Sequence, residues 1–108
     1  MAWKKNSPDA IQRFDEIAAV PGAMRKIMFG CPVYELPGKR YALLHGDRVV
    51  LALSPEHTAQ LVQKGGRPWE PMKGRRSKDK VVVPETIAAN ARSLRPWIQR
   101  AAQHTKPG

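Results

Sequence analysis

Basic side chains gather in one stretch of the chain, residues 64–80, together with one tryptophan. The stretch holds seven basic and two acidic residues, a balance of +5. Cationic side chains contact phosphate oxygens and an aromatic ring stacks on bases, so this combination suits nucleic acid or another polyanion. The alternative is a solvated basic loop with the tryptophan packed under a sheet. The candidate polyanion or partner contacts are Lys64, Arg67, Trp69, Lys73, Arg75, Arg76, Lys78 and Lys80.

The whole chain of 108 residues is basic, with a formal net charge of +10. Residues 1–63 carry eight basic and six acidic side chains, whereas residues 64–108 carry eleven and three. Such a field attracts polyanions, although a basic surface that only aids solubility is the simpler explanation. No helix-turn-helix or other standard DNA-binding motif is visible, so we expect any nucleic-acid binding to be nonspecific.

Residues that could carry catalysis or bind a metal are few and scattered. A reactive Cys31 would need a nearby cation or helix N-terminus, and burial as a small apolar side chain is the commoner role. The histidines, at positions 45, 57 and 104, show no metal-ligand spacing, and we expect them on the surface. We therefore predict no catalytic residue, metal site or cofactor, and we identify no small-molecule substrate.

Length and composition predict one domain, residues 1–108, with frayed ends at 1–6 and 104–108. The single cysteine excludes an internal disulfide framework. No apolar run approaches the ~18 residues of a membrane span, and the N-terminal segment lacks the apolar core of a signal peptide. We expect a cytoplasmic protein that does not bind membranes.

The elements that must position the basic stretch begin with a helix capped by Ser7 and ended by Pro21-Gly22. Three strands follow between Met28 and Leu53, joined by turns at Pro37-Gly38 and Gly46-Asp47. The second and third strands are apolar on both faces. Helices on both sides of the sheet, or a helix layer plus a partner subunit, would cover them.

A second helix is predicted from Ser54 to Gly65-Gly66, followed by an extended piece over residues 67–72 whose prolines confine it to a sheet edge or a loop. A short strand follows at 81–83. The C-terminal segment is helical, with a break near Asn90 to Ser93, since Ser93 as N-cap would place Pro96 at the harmless third helical position. The element order is helix, three strands, helix, two strands, helix.

Several short motifs occur in a distinctive order along the chain. They are Met28-Phe29-Gly30, Tyr34, Gly38-Lys39, Ala42, Pro55-Glu56, Trp69-Glu70-Pro71-Met72, Gly74-Arg75, Val81-Val82-Val83-Pro84, and Leu94 with Trp97. Together they resemble the N-terminal domain of the TfoX/Sxy family over roughly residues 12–104. The resemblance implies an α+β fold, with a central antiparallel β-sheet of about five strands flanked by helices.

The resemblance also implies regulation rather than catalysis, because the family has no accepted catalytic residues. Its best-known members promote expression of competence genes in bacteria, together with a cyclic-AMP-responsive activator, and carry a second, C-terminal domain. We expect here a stand-alone N-terminal-type domain. The prediction is a non-enzymatic regulatory or protein-interaction domain, linked to transcriptional regulation, with a protein partner or self-association. The alternative is a nonspecific nucleic-acid-binding protein using the basic loop 64–80 and the basic C-terminal helix.

Overall fold

The structure, a computed structural model, describes residues 5–70, 74, 77 and 79–105. These residues form four helices and six strands. In chain order the elements are α1 (Pro8–Ala18), β1 (Met24–Met28), β2 (Cys31–Leu36), β3 (Lys39–His45), β4 (Arg48–Ala52), α2 (Pro55–Gln63), β5 (Arg67–Pro68), β6 (Lys80–Val82), α3 (Glu85–Ala88) and α4 (Ala91–Thr105).

The six strands form one antiparallel sheet in the order β1-β2-β3-β4-β6-β5. This confirms the α+β class with a central antiparallel sheet. The described sheet has six strands and not about five, because Met24–Met28 pairs with β2 as an additional edge strand. Its sequence, MRKIM, does not alternate polar and apolar residues, so a period-2 pattern could not reveal it.

The predicted starts of α1 and α2 are confirmed by their caps. The Ser7 hydroxyl accepts a hydrogen bond from the Ala10 N–H at 3.2 Å. The Ser54 hydroxyl accepts one from the His57 N–H, also at 3.2 Å. In both helices a proline follows the cap at the first helical position, where its missing N–H costs nothing. Local sequence therefore fixes where both helices begin.

The main core lies between the helices and one face of the sheet, called here the first face. Every described helix contributes to it, and Tyr41 is fully buried there, with its hydroxyl donating to the Ala18 carbonyl at 2.6 Å. A β-bulge between β2 and β3 brings Tyr41 and its neighbour Ala42 to the same side. The largest fully buried side chains of this core are Phe14, Tyr41, Leu44, Leu51, Leu53, Leu61, Leu94 and Ile98.

The opposite side of the sheet, called here the second face, has a smaller core of its own. Val33, Leu43 and Val50 are buried there beneath the ring of Trp69. From the sequence, helices or a partner subunit were expected to cover this face. In the described residues the cover comes instead from Trp69, which directly follows the edge strand β5, and all four helices pack on the first face.

The C-terminal helix is interrupted where the sequence predicted, but its cap is a different residue. The Asn90 side chain accepts a hydrogen bond from the Arg92 N–H at 2.8 Å, and the Asn90 carbonyl accepts from the Leu94 N–H at 3.0 Å. Ser93 is therefore not the N-cap; its hydroxyl donates back to the Ile87 carbonyl at 2.7 Å. Because the helix starts at Ala91, Pro96 occupies its sixth position and lies inside α4.

The N-terminal segment is tied to the sheet at Asn6, within the range expected to fray. The Asn6 side chain donates to the Leu44 carbonyl at 2.9 Å and accepts from the Asp47 N–H at 2.7 Å. The Asp47 carboxylate in turn accepts from the Ser7 N–H at 2.6 Å. The chain just before α1 is thus fixed to the β3–β4 turn. At the other end of the chain, α4 continues to Thr105.

Candidate interaction surfaces

The second face collects basic side chains from strands that are distant in sequence. In an antiparallel sheet, directly opposed residues and residues two apart on one strand share a face. Arg67 opposes Val82, which in turn opposes Val50, so all three lie on the second face. Lys80 and Arg48 belong to it as well, since each is two residues from one of those valines. The sheet thereby joins Arg67 and Lys80, two predicted contact residues, with Arg48.

Two clefts border the small core of the second face. One, of about 380 Å³, lies at the β3–β4 turn and the β5 edge and has the side chains of His45, Arg48, Arg67, Trp69 and Glu70 in its wall. The other, of about 320 Å³, lies at the β2–β3 turn and is lined by Glu35, Gly38, Lys39, Arg40 and Lys80. Cationic side chains outnumber carboxylates in both, so each cleft suits an anionic group.

Ion pairs hold some of these cations only weakly. The Arg48 guanidinium lies 3.4 Å from the Glu85 carboxylate, and both side chains are about half exposed, so water screens the pair. Lys80 contacts Asp79 at 3.5 Å. Partial burial raises the pKa of Asp79, but the charge of Lys80 and a hydrogen bond from Ser77 outweigh it and leave that pKa lowered. Asp79 is therefore a stable counter-charge for Lys80.

The predicted contact residues are only partly brought together. Arg67 and Lys80 lie on the second face, whereas Lys64 is the exposed C-cap residue of α2. Trp69 is 6% exposed and packs in the second core, so its faces are not available for stacking in this conformation. The predicted contacts Lys73, Arg75, Arg76 and Lys78 lie outside the described residues.

Arg40 and Arg48 were not predicted as members of this surface. Both lie in or beside the predicted strands, whereas the predicted contacts were chosen by charge density along the chain. The period-2 position of Arg48 relative to Val50 was the available signal. Strand register, which the sequence did not supply, is what joins them to residues 64–80.

A second surface is the outer edge of β1, called here the β1 edge, comprising Met24–Met28 and the turn residue Phe29. β1 ends the sheet on the side away from β5. Three of its apolar side chains are more than half exposed: Met24 is 62% exposed, Ile27 57% and Phe29 65%. Large apolar groups grouped at a sheet edge are typical of a protein interface.

Both cations of β1 have a carboxylate partner within the chain. Arg25 forms a two-point contact with Asp15 of α1, at 3.0 and 3.1 Å. Its hydrogen bond to Asp15 is the largest cause of a raised pKa for Arg25. Lys26 forms an ion pair with Glu35 on the neighbouring strand. Paired in this way, Arg25 and Lys26 add little net charge to the β1 edge.

Cys31, His45 and His57 pack against other side chains, whereas His104 does not share this role. Cys31 is fully buried, as predicted for a small apolar side chain, and burial raises the pKa of its thiol despite a hydrogen bond with Asn6 that acts the other way. His45 and His57 are half-buried, not on the surface as expected, with their rings edge-on to Trp69 and Trp97. His104 is exposed, as expected.

The described part of the chain contains no cluster of three or more His, Cys, Asp or Glu side chains placed to hold a metal ion. Among its helices, none has the length and hydropathy needed to cross a membrane.

Comparison with known proteins relates most of the chain to a family model. The family model described as the TfoX N-terminal domain matches residues 15–105. A search of the curated proteins gave no match. The matched range holds all six strands and both surfaces, including Arg48, Arg67 and the β1 edge.

Proposed function

Because this chain belongs to the TfoX N-terminal domain family, we propose that it is a non-enzymatic protein-interaction domain that acts in transcriptional regulation. The observation that carries the proposal is the β1 edge. A monomeric protein rarely leaves a regular edge strand with large exposed apolar side chains, because such an edge is a template for pairing with another chain. A protein partner that adds a strand there would bury Met24, Ile27 and Phe29.

The roles of the polar side chains support a non-enzymatic function. Asp15 binds Arg25 and Tyr34, which ties α1 to β1 and β2. Asp47 binds the backbone of Ser7, and Cys31 is buried. The groups most able to do chemistry are therefore used to hold elements together. The family's link to bacterial gene regulation favours the bacterial cytoplasm as its location.

Affinity capture from native lysate, followed by mass spectrometry, tests the proposal. The baits are the unaltered chain, Ile27→Lys on the β1 edge, and Val62→Lys on α2. Val62 is a matched control, since it is also an exposed apolar residue, at 43%, on an element remote from β1. We expect partners that Val62→Lys retains and Ile27→Lys loses. Identical background binding to all three baits would contradict the proposal.

A second candidate function, nonspecific nucleic-acid binding, is favoured by the cations on the second face. Arg40, Arg48, Arg67 and Lys80 extend over one side of the sheet, with a cleft at each end. On α4, Arg92 and Arg95 are exposed and follow the last acidic residue of the sequence, Glu85. A phosphate backbone would contact such a surface without base readout.

Titration of labelled DNA and RNA at two salt concentrations tests this second candidate. Replacing Arg48 and Arg67 together by alanine should reduce the salt slope by about two, since each phosphate contact contributes about one unit. Arg13→Ala removes an exposed cation from α1, on the first face, and serves as the control. Absence of binding at low salt would rule out the second face as the binding surface. An equal loss of affinity in the double variant and in Arg13→Ala would rule it out as well.

A further inference from the structure

We infer that the partner of the β1 edge is a second copy of this chain, paired antiparallel through β1 about a two-fold axis at Ile27. Two six-stranded sheets would then continue into one another across the axis. The inference rests on the proposed function, since it names the partner of the same surface. Four observations carry it: the backbone geometry of β1, the protection of the opposite edge, the pairing of charges and the register.

The backbone of β1 is arranged for pairing at its outer edge. The turn between β1 and β2 is a two-residue hairpin, with Phe29 at φ 50° and Gly30 at φ 81°. In such hairpins the flanking residues, here Met28 and Cys31, exchange backbone hydrogen bonds. Because the pattern alternates along a strand, Arg25 and Ile27 direct their N–H and C=O groups away from β2. These groups face outward, where a further strand would bind.

The two edges of the sheet differ in how they are protected. At one edge, β5 is two residues long and one of them is Pro68, which has no N–H to donate. At the other edge, β1 has five residues, no proline and an uninterrupted register with β2. Natural edge strands are commonly blunted by proline, shortness, a bulge or free charge. Within the described sheet, β1 is the edge left open to pairing.

Charge does not protect the β1 edge, because both of its cations are already paired. Arg25 is held by Asp15 and Lys26 by Glu35. Both ion pairs form within one copy, so they are already present in each copy before the two copies associate. The remaining side chains of β1 are the apolar Met24, Ile27 and Met28.

The register follows from the requirement that like charges do not oppose each other. For the two sheets to continue face to face, opposed residues must share a face, so the axis passes through a residue and not between two. An axis at Arg25, Lys26 or Ile27 gives at least three opposed pairs within β1, whereas an axis at either end residue gives one. An axis at Arg25 or at Lys26 places that cation opposite its own copy. An axis at Ile27 pairs the two Ile27 side chains and avoids both like-charge contacts.

The Ile27 axis also gives each neighbouring side chain a suitable partner. Lys26 opposes Met28 of the second copy, and Arg25 lies beside the turn residue Phe29 of that copy, which permits a cation–π contact. Met24 lies beyond the paired residues, beside the turn residue Gly30, where no described atom lies within 4 Å of the position that a Cβ would take. A methionine side chain therefore finds room at that position. The surface is complementary to itself, as a two-fold interface requires.

The net charge of the chain makes the salt dependence a distinguishing test. Each copy carries +10, so two copies repel one another at long range while the local charges of β1 are neutralised. Added salt screens that repulsion and should strengthen self-association. Binding of a polyanion would instead weaken with salt. Sedimentation velocity of the full chain over a range of protein and salt concentrations measures the effect.

Ile27→Lys should weaken self-association by about tenfold or more, because two additional ammonium groups would meet at the axis. Val62→Lys adds the same charge elsewhere and should leave association near that of the unaltered chain. A chain that stays monomeric at every concentration and salt level would overturn the inference. Capture of another protein through the β1 edge would then still support the proposed function, so the two failures are distinguishable.

Engineered cysteines test the register. Opposed residues of a hydrogen-bonded pair have their Cα atoms about 5.5 Å apart, a distance that a disulfide can span. Under oxidised glutathione, Ile27→Cys should form a covalent dimer, whereas Lys26→Cys should not, because Lys26 opposes Met28 in this register. The native Cys31 is buried and present in both variants. Faster cross-linking of Lys26→Cys than of Ile27→Cys would overturn the Ile27 axis.

Discussion

Tyr34 of β2 donates a hydrogen bond from its hydroxyl to the carboxylate of Asp15 on α1, at 2.8 Å. The same carboxylate binds the guanidinium of Arg25 on β1. Three elements therefore meet at one carboxylate, which fixes α1 over the strand that forms the β1 edge. The Tyr34 ring also lies edge-on to Phe14, 5.6 Å between centroids, so the same side chain joins this polar contact to the main core.

Replacing Asp15 should destabilise the fold and loosen β1 in particular. Asp15→Ala removes the acceptor for both Tyr34 and Arg25, and we expect the free energy of unfolding to fall by about 2 kcal/mol, since hydrogen bonds to charged groups contribute about 1.5–3 kcal/mol. Urea denaturation followed by circular dichroism measures the change. Glu16→Ala, an exposed neighbour on α1, is the control and should change stability little. Equal effects from both variants would contradict the role assigned to Asp15.

Stability should fall at high pH through Tyr34. Burial, followed by the hydrogen bond and charge of Asp15, raises its pKa from 10.0 to about 12. The folded state therefore keeps a proton that the unfolded chain releases, and the stabilisation, complete below pH 10, is lost as pH rises towards about 12. A pKa difference of this size between the folded and the unfolded state corresponds to about 2–3 kcal/mol in the free energy of unfolding.

Tyr34→Phe tests this link between ionisation and stability, because a phenylalanine side chain cannot ionise. The free energy of unfolding of the variant should depend less steeply on pH above 10 than that of the unaltered chain. Tyr41, whose pKa is also raised by burial, should leave a residual slope of the same sign. An unchanged slope in Tyr34→Phe would show that other groups account for alkaline unfolding.

Trp69 should be essential to the second core. Its ring covers Val33, Leu43 and Val50, so Trp69→Ala would leave a cavity and expose apolar surface. We expect a loss of about 3–5 kcal/mol in the free energy of unfolding, the range for large-to-small aromatic substitutions in cores. Trp69→Phe keeps part of the cover and should cost less. A negligible effect of the alanine variant would show that the second face does not depend on this ring.

Substitutions at the N-cap of α4 and at its internal proline should have opposite effects on stability. Asn90→Ala should cost about 1 kcal/mol through loss of the hydrogen bond to the Arg92 N–H. Pro96→Ala should stabilise the protein by about 1–3 kcal/mol, because it restores the N–H that pairs with the Arg92 carbonyl inside the helix. Thermal unfolding of both single variants measures these changes. Destabilisation by Pro96→Ala would show that the proline has a role beyond the helix backbone.

Much of the fold was predictable because its signals are local. Ser7 with Pro8 and Ser54 with Pro55 mark helix starts, and Pro37-Gly38 and Gly46-Asp47 mark the turns that bound β3. These residues act through backbone geometry and capping within a few positions of the chain. The order of elements follows from them, whereas the α+β class was implied by the family resemblance. Neither β1 nor the N-cap of α4 was predicted from the sequence. The edge strand β1 shows no alternation of polar and apolar residues, and Asn90 competes with Ser93 as the cap.

The candidate surfaces were less predictable because they depend on register. Arg67 and Lys80 were singled out by charge density, but only the sheet brings Arg48 and Arg40 to the same face. The β1 edge was not predicted either, because the exposure of Ile27 follows from the position of its strand in the sheet. Sequence shows which side chains are basic or apolar, and strand order decides which of them face solvent together.

The strand order also determines how the protein should fold and open. β1 to β4 form a meander in which each strand pairs with the next across a short turn, so loop closure costs little entropy. β6 pairs with β4 across a long separation in sequence, Val50 with Val82, whereas β5 pairs with β6 across a shorter one, Arg67 with Val82. Contacts of higher sequence separation form later. The two strands that carry Arg67 and position Trp69 should therefore pair with each other first and dock on β4 last, and their amides should exchange hydrogen before those of the meander.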